Sequence, residues 1–303
     1  MDLEIEDKVI SLKDAVKMIP SGATVAIGGW VITRCVMAFV RELIRQRKRG
    51  LIVSESMGGL DIDLMVGAGC VSKLIYPGGS LEPAYGFLNR VNEAILTQEI
   101  QVEEYSGTGM CFKYLAGALG LPYMPIKSLL GSDILKSLKS KCADVEEIKC
   151  PFTGEKLVAL RALNPDYAII HVQRVDTDGN AWISGPLWDT KEMAMASSKI
   201  ILTAEEVVHP DLTKTDPMRT IIPGYRVDSI VKVPYGAHPT AVYKYYDYDR
   251  EHLAVYANAA RQKETFEKYL QEYVFAFDSH EEYLQKIGAG KLVELRANPL
   301  LGY

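Results

Sequence analysis

Ser21-Gly22-Ala23-Thr24-Val25-Ala26-Ile27-Gly28-Gly29-Trp30 is a short apolar run closed by two glycines. Val25-Ala26-Ile27 has the small and β-branched residues of a strand buried on both faces. Gly28 and Gly29 then free the backbone from Cβ, so the chain can turn sharply and bring peptide N–H groups close to a ligand. Downstream, Val36, Phe39, Val40, Leu43 and Ile44 fall at helical spacing, which predicts a helix just after the turn. Strand, Gly-Gly turn and helix is a geometry that offers backbone N–H groups to an anion or a developing oxyanion. A glycine pair alone is equally the mark of an ordinary tight turn.

Working outward, the same grammar repeats. Ser11 is positioned to cap a short helix that Ile19-Pro20-Ser21-Gly22 ends. Strands are expected at Leu51–Val53, Leu74–Tyr76, Ile100–Tyr105, Ala168–Val172, Ile200–Ala204 and Ser229–Val233. Helices are expected at Asp61–Met65, Phe87–Leu96, around Met110 to Leu119, and at Lys191–Ser197. Such alternation argues for an α/β fold whose parallel or mixed sheet is covered on both faces. Residues 136–154 read as a charged excursion from it. The last third is richer in Tyr, with one main helix expected from Glu251 to Phe275. The simplest organisation is one continuous domain, a core over about 1–250 and a helical C-terminal extension over about 251–303.

Composition narrows the function. The 303 residues are 48% hydrophobic and 24% charged with a net charge of −5, which gives no support for nucleic-acid binding. Five cysteines without CxxC spacing favour a reducing compartment over a disulfide framework or a zinc knuckle. Met1–Glu6 is acidic, unlike a signal peptide, and no apolar run is long enough to span a bilayer, so a cytoplasmic protein is expected. Turns rich in Gly recur where strands end, at Gly28-Gly29, Gly58-Gly59, Gly78-Gly79 and Gly131-Ser132. Ligands bind at that edge of open α/β sheets. None of these turns matches GxGxxG or a Walker loop, so a small-molecule site without a nucleotide-binding motif is expected.

Several residues could carry chemistry. Glu55 follows an apolar strand, either as an activated nucleophile or as an exposed turn residue. Glu103 and Glu104 end another strand, one facing in and one out, as a general base or a salt-bridged structural residue. Arg34 lies near a helix start, where a cation opposes the dipole; it either binds a carboxylate or phosphate or is simply exposed. His171, in an apolar strand, and His238, in a turn, read as structural. No spacing suggests a metal site.

The chain resembles the A (α) subunit of family I CoA-transferases of the glutaconate type over almost its whole length. The resemblance is carried by Gly28-Gly29, Gly67-Ala68-Gly69, Glu103-Glu104-Tyr105-Ser106, Ala116-Gly117-Ala118-Leu119-Gly120-Leu121-Pro122-Tyr123 and Gly131-Ser132. It continues through Asp166–His171, Pro234-Tyr235-Gly236-Ala237-His238-Pro239, Tyr246-Asp247-Tyr248-Asp249 and the ending Pro299-Leu300-Leu301-Gly302-Tyr303. It implies a three-layer α/β/α open sheet and a ping-pong transfer of CoA between an acyl-CoA and a short carboxylic or dicarboxylic acid. The nucleophilic glutamate belongs to a B (β) subunit of the same fold, in a heterotetramer or larger assembly. CoA and acyl-CoA are substrates, with no permanently bound cofactor. By the same resemblance Gly28 and Gly29 form the oxyanion hole, Trp30 walls the acid pocket where the family has Phe, and Arg34 or Ser80 holds a distal carboxylate. The motifs are shared with a steroid ring-cleaving CoA hydrolase, in which Glu104 would be catalytic, and with a glutaconyl-CoA decarboxylase. A non-catalytic, pocket-shaping subunit is the remaining alternative.

Overall fold

A computed structural model describes residues 8–82, 85–142, 144–298 and 300–302. Met1–Glu6, with Pro299 and Tyr303 of the closing motif, lies outside the described residues. Seven strands run parallel: β1 (Thr24–Ile27), β2 (Leu51–Ser54), β3 (Val71–Tyr76), β4 (Gln101–Glu104), β8 (Tyr167–Asp176), β10 (Lys199–Val208) and β12 (Ser229–Lys232). Their spatial order is β4-β3-β2-β1-β8-β10-β12, with β9 (Ala181–Trp182) and β11 (Thr220–Ile222) added antiparallel beside the far end of β8. The first four strands are laid down outward from β1, and the chain then returns to β1's other side. That reversal makes the carboxyl end of β1 a topological switch point, where ligand crevices form.

Each strand is buried on both faces because each face meets its own layer. Val25 and Ile27 of β1 pack with Phe39, Leu43 and Leu64 on one side, while Ala26 packs with Met110, Tyr114 and Met193 on the other. Full burial of one such aliphatic or aromatic side chain contributes about 1.5–3 kcal/mol. The helix Met37–Arg45 buries nearly its entire length, as the spacing of its apolar residues requires. Ser11 caps the helix Leu12–Lys17 as expected, its Oγ accepting from the Asp14 N–H at 3.1 Å.

One expectation is sharpened and one corrected. The charged stretch 136–154 does leave the main sheet, but it is not irregular: it holds the end of the helix Asp133–Lys141 and β6 (Val145–Lys149), which with β5 (Tyr123–Ile126) and β7 (Lys156–Arg161) makes a second, three-stranded antiparallel sheet. The Glu251–Phe275 helix is two helices, Arg250–Ala259 and Lys263–Leu270, followed by a π-turn at Gln271–Phe275. Side-chain donors occupy the carbonyls at the break. Arg90 Nε donates to the Ala260 carbonyl at 2.6 Å and Thr265 Oγ1 to the Ala259 carbonyl at 2.7 Å, which takes acceptors that a continuous helix would need. Leu253, Tyr256, Phe266 and Tyr269 of this extension pack into the same apolar layer as Phe39. Among the described residues no helix is long and apolar enough to cross a membrane.

At the switch point three turns interlock through bare backbone. A Cβ on Gly59 would lie 1.9 Å from the Val31 carbonyl oxygen, and one on Gly79 would lie 2.3 Å from that of Gly58. The contacts are tied by hydrogen bonds from Val31 N–H to the Met57 carbonyl, Gly58 N–H to Gly78 and Ser80 N–H to Gly58. Gly59→Ala should therefore destabilise the protein by about 2 kcal/mol or more, since overpacking against rigid backbone costs about 1–3 kcal/mol. Gly290→Ala, in a helix with open space around it, should be neutral or stabilising by about 0.5–1 kcal/mol. Denaturant unfolding of both variants checks this; equal effects would contradict the interlock.

Candidate active site

The Gly28-Gly29 turn sits at the carboxyl end of β1, and its three N–H groups have different fates. Gly28 N–H donates to the Ile169 carbonyl on β8 at 2.9 Å, and Trp30 N–H to the Thr33 carbonyl at 2.8 Å. Gly29 N–H has no acceptor among the described residues. Of the two glycines expected at the oxyanion hole, Gly28 thus has its N–H engaged by β8, and Gly29 leaves its donor free of a protein acceptor among the described residues. Parallel pairing consumes the Gly28 donor, and Gly28 is needed for fit: a Cβ there would lie 3.0 Å from Ile170 Cγ1. Gly29 has φ +148°, and a Cβ on it would press on Cys35 Cα at 3.1 Å. Around it Val31 (φ +52°), Arg34 (φ +56°) and Trp188 (φ +49°) hold left-handed backbone that bulky side chains disfavour. Such strain costs about 1–3 kcal/mol per residue and persists where surrounding contacts over-determine it, commonly at functional sites.

Trp30 is half-buried beside the turn and meets Trp188, half exposed, at 4.5 Å between ring centroids. Trp188 also approaches the start of the helix Gly107–Ala118, within 3.7 Å of a Cβ placed on Gly107. Ser80 is half-buried on the third turn, its Oγ accepting from Glu82 N–H at 3.3 Å. The turn thus unites Gly29, Trp30 and Ser80 in one neighbourhood.

Arg34 is not exposed. Its guanidinium is buried, donating to the Pro186 carbonyl at 2.6 Å and the His171 carbonyl at 3.4 Å, while Nε lacks an acceptor. Burial pulls its pKa down to about 10, and no carboxylate among the described residues pairs with it. It lies two residues before the N-cap Val36, near the helix start as the sequence suggests.

Glu55 is likewise no exposed turn residue. It is fully buried beyond β2, and neither carboxyl oxygen has a partner. Burial, with Asp61 and Asp189 nearby, holds its pKa well above the usual carboxylate range, which disfavours its charged form. Around it Ser56 Oγ donates to Asp189 Oδ2, and Tyr114 donates to Ser54 Oγ at 2.8 Å. Asp189, Ser56 and Trp188 were not singled out from sequence. Ser56 adjoins Glu55 in the chain, whereas Trp188 and Asp189 come from a segment over 130 residues away whose only local signal is the turn Gly185-Pro186.

The alternation predicted for Glu103 and Glu104 holds. Glu103 is buried against Lys73 Nζ at 2.5 Å and Tyr105 OH at 3.3 Å, while Glu104 is exposed at the end of β4. His171 bonds Thr203 at 2.9 Å and Glu205 at 2.8 Å, and His238 bonds Tyr283 at 2.8 Å and Asp249 at 3.1 Å; both are buried structural residues. Among the described residues no group of three or more His, Cys, Asp or Glu is arranged to hold a metal ion.

Burial pushes Asp61 up to about 6, and its Oδ2 has no hydrogen-bond partner. A carboxyl whose pKa is raised on folding binds its proton more tightly in the native state. Its contribution to stability therefore falls as pH rises from about 4 to 6 and is constant above. Buried His252 and His280, both lowered to about 3, work in the opposite sense over an overlapping range, so the parent's own pH curve is not diagnostic. Asp61→Asn should gain stability relative to the parent from pH 4 to 6, by about 2–3 kcal/mol, and no more above it. Unfolding midpoints of both proteins across that range check this; a pH-independent difference would contradict it.

Comparison with known proteins agrees with this architecture. A family model described as Coenzyme A transferase matches residues 9–233. The A-type subunit of glutaconate CoA-transferase from Acidaminococcus fermentans is 34% identical, covering 98% of this chain and 97% of that protein. The crystal structure of the enzyme from the same organism superposes with a TM-score of 0.93 over 98% of each chain. The A-type subunit of 3-oxoadipate CoA-transferase from Pseudomonas knackmussii is 33% identical over 94% of this chain and 99% of its own. An uncharacterized protein of Archaeoglobus fulgidus, 34% identical, is longer, and the chain spans 64% of its length. With its switch-point turn, three-layer sheet and helical extension, the chain belongs to the coenzyme A transferase family as an A-type subunit.

Proposed function

We propose that the chain works as a CoA-transferase together with a B subunit, on a short carboxylic or dicarboxylic acid, in a heterotetramer or larger assembly of the cytoplasm. The single observation that carries the proposal is the Gly29 N–H, a backbone donor without a protein acceptor at the switch point. The relatives' names, glutaconate and 3-oxoadipate CoA-transferase, support a dicarboxylic acid. Five free thiols fit a reducing compartment.

The partner's glutamate carboxylate attacks the acyl thioester, and the C–S bond breaks to give a mixed anhydride and CoA thiolate. The thiolate attacks the glutamyl carbonyl of that anhydride, releasing the first acid and leaving a glutamyl-CoA thioester. A second acid reverses the two steps and leaves as its CoA ester. Every step passes through a tetrahedral oxyanion, and Gly29 N–H is the donor this chain offers it. One such donor is worth about 3–4 kcal/mol. Glu55 is fully buried, and burial disfavours its carboxylate form, which favours placing the nucleophile on the partner.

Trp30 walls the acid pocket and Ser80 lies across the turn from it. Arg34 acts on the acid's charge from behind the loop. Its unneutralised guanidinium lies where the low dielectric sustains its field, and its two carbonyl contacts position the loop. Glu104, exposed at the end of the edge strand β4, serves no step of the transferase cycle; in a hydrolase it would be required.

Gly29→Val should lower turnover of the assembled complex about a hundredfold or more, and Glu104→Gln should leave it unchanged. Borohydride reduction in the presence of acyl-CoA should label a glutamate of the partner. A label at Glu55, or turnover abolished by Glu104→Gln, would contradict the assignment, while full activity in Gly29→Val would favour a passive subunit.

A further inference from the structure

A second concavity, of about 620 Å³, lies where β8 and β10 outrun the rest of the sheet. It is walled by those strands, by the segment after Pro234 and by Arg296 and Ala297 of the C-terminal extension. Arg174, Arg219, Lys244 and Arg296 all line it. Arg174 is spent on Glu206, at 2.8 Å. Arg219, Lys244 and Arg296 have no carboxylate within ion-pair distance among the described residues.

The two glutamates in the wall do not explain these cations. Glu206 accepts from Arg174 and, at 2.8 Å, from Tyr245 OH. Glu205 is engaged by His171 at 2.8 Å, by Tyr246 OH at 2.6 Å and by Tyr235 N–H at 2.7 Å. Both carboxylates are saturated by other donors. Arg219, Lys244 and Arg296 are solvent-exposed, and in a chain of net charge −5 three unpaired cations around one cavity are a local excess of positive charge open to an anion.

The aromatic wall adds a second, independent observation. Trp182 is buried in the cavity wall, with the Arg219 guanidinium 4.3 Å above its ring, and its Nε1–H has no acceptor. Stacking holds the guanidinium plane in one orientation, which suits bidentate contact with a tetrahedral oxyanion. Tyr235 and Tyr245 complete an apolar and aromatic lining of the kind that pockets for organic ligands use.

We propose that this cavity binds the phosphate groups of a nucleotide-like ligand, held by Arg219, Lys244 and Arg296. Two sources offer that chemistry: the phosphorylated end of the CoA substrate, which rests on the function proposed above, and a separate phosphorylated effector, which does not. One backbone hydrogen bond ties the segment that carries Lys244 to the loop after Gly29. Arg34 N–H donates to the Ala241 carbonyl at 2.8 Å, and the chain reaches Lys244 three residues later.

The test is calorimetry on the complex of this chain with its B subunit, using adenosine 3′,5′-bisphosphate as probe. The parent should bind it, more weakly as salt rises, and Arg219→Ala/Arg296→Ala should bind at least tenfold more weakly with an unchanged unfolding midpoint. A tenfold rise in the KM for acyl-CoA in that variant, with kcat preserved, would identify CoA as the source. Unchanged KM with lost probe binding would identify a separate effector. No binding at millimolar probe, or binding indifferent to the double substitution, would overturn the site. Because calorimetry needs no turnover, a complex without transferase activity would refute the proposed function and leave this result readable.

Discussion

The site depends on backbone touching backbone. Gly59 leaves room for the Val31 carbonyl and Gly79 for the Gly58 carbonyl, so the turns after β1, β2 and β3 stack as one body. Val31, Arg34 and Trp188 could not otherwise be kept in left-handed conformations, since each costs free energy that only surrounding contacts can offset. The consequence for chemistry is that the Gly29 N–H is fixed in direction before any substrate arrives. A donor that need not reorganise stabilises charge more effectively than a mobile one.

Electrostatics around that donor are arranged in the same sense. Burial raises the pKa of Glu55, which works against a fixed negative charge there. Arg34 contributes a positive charge without a neutralising partner, anchored by the His171 and Pro186 carbonyls. His171 in turn belongs to the network of Thr203, Glu205 and Tyr246 that backs the basic cavity. The turn and the cavity thus share a scaffold, β8, the turn at Ile169–His171 and the cavity at Gln173-Arg174, without sharing side chains.

Much of this was legible in the sequence. Val25-Ala26-Ile27-Gly28-Gly29 reads directly as strand and turn because a doubly covered parallel strand must be apolar on both faces. The Ser11 cap, the helix after Val36 and the alternation of Glu103 and Glu104 follow from equally local rules. What escaped was set by distant partners. Nothing near Gly28 indicates that β8 would consume its N–H, and nothing near Glu55 indicates that it would be buried without a donor. The break after Ala260 depends on Arg90, 170 residues earlier. The small sheet was hidden because β6, Val145-Glu146-Glu147-Ile148-Lys149, exposes Glu146, Glu147 and Lys149 and so resembles a solvated linker.

The central claim is that Gly29 N–H receives the oxyanion of an intermediate carried by another chain. The most direct measurement is a crystal structure of the two-subunit complex trapped as its CoA thioester. The account predicts the thioester carbonyl oxygen within hydrogen-bond distance, about 2.7–3.1 Å, of Gly29 N, with the acyl-bearing glutamate on the partner. A carbonyl held only by partner groups and remote from Gly29, or a thioester on this chain, would contradict it.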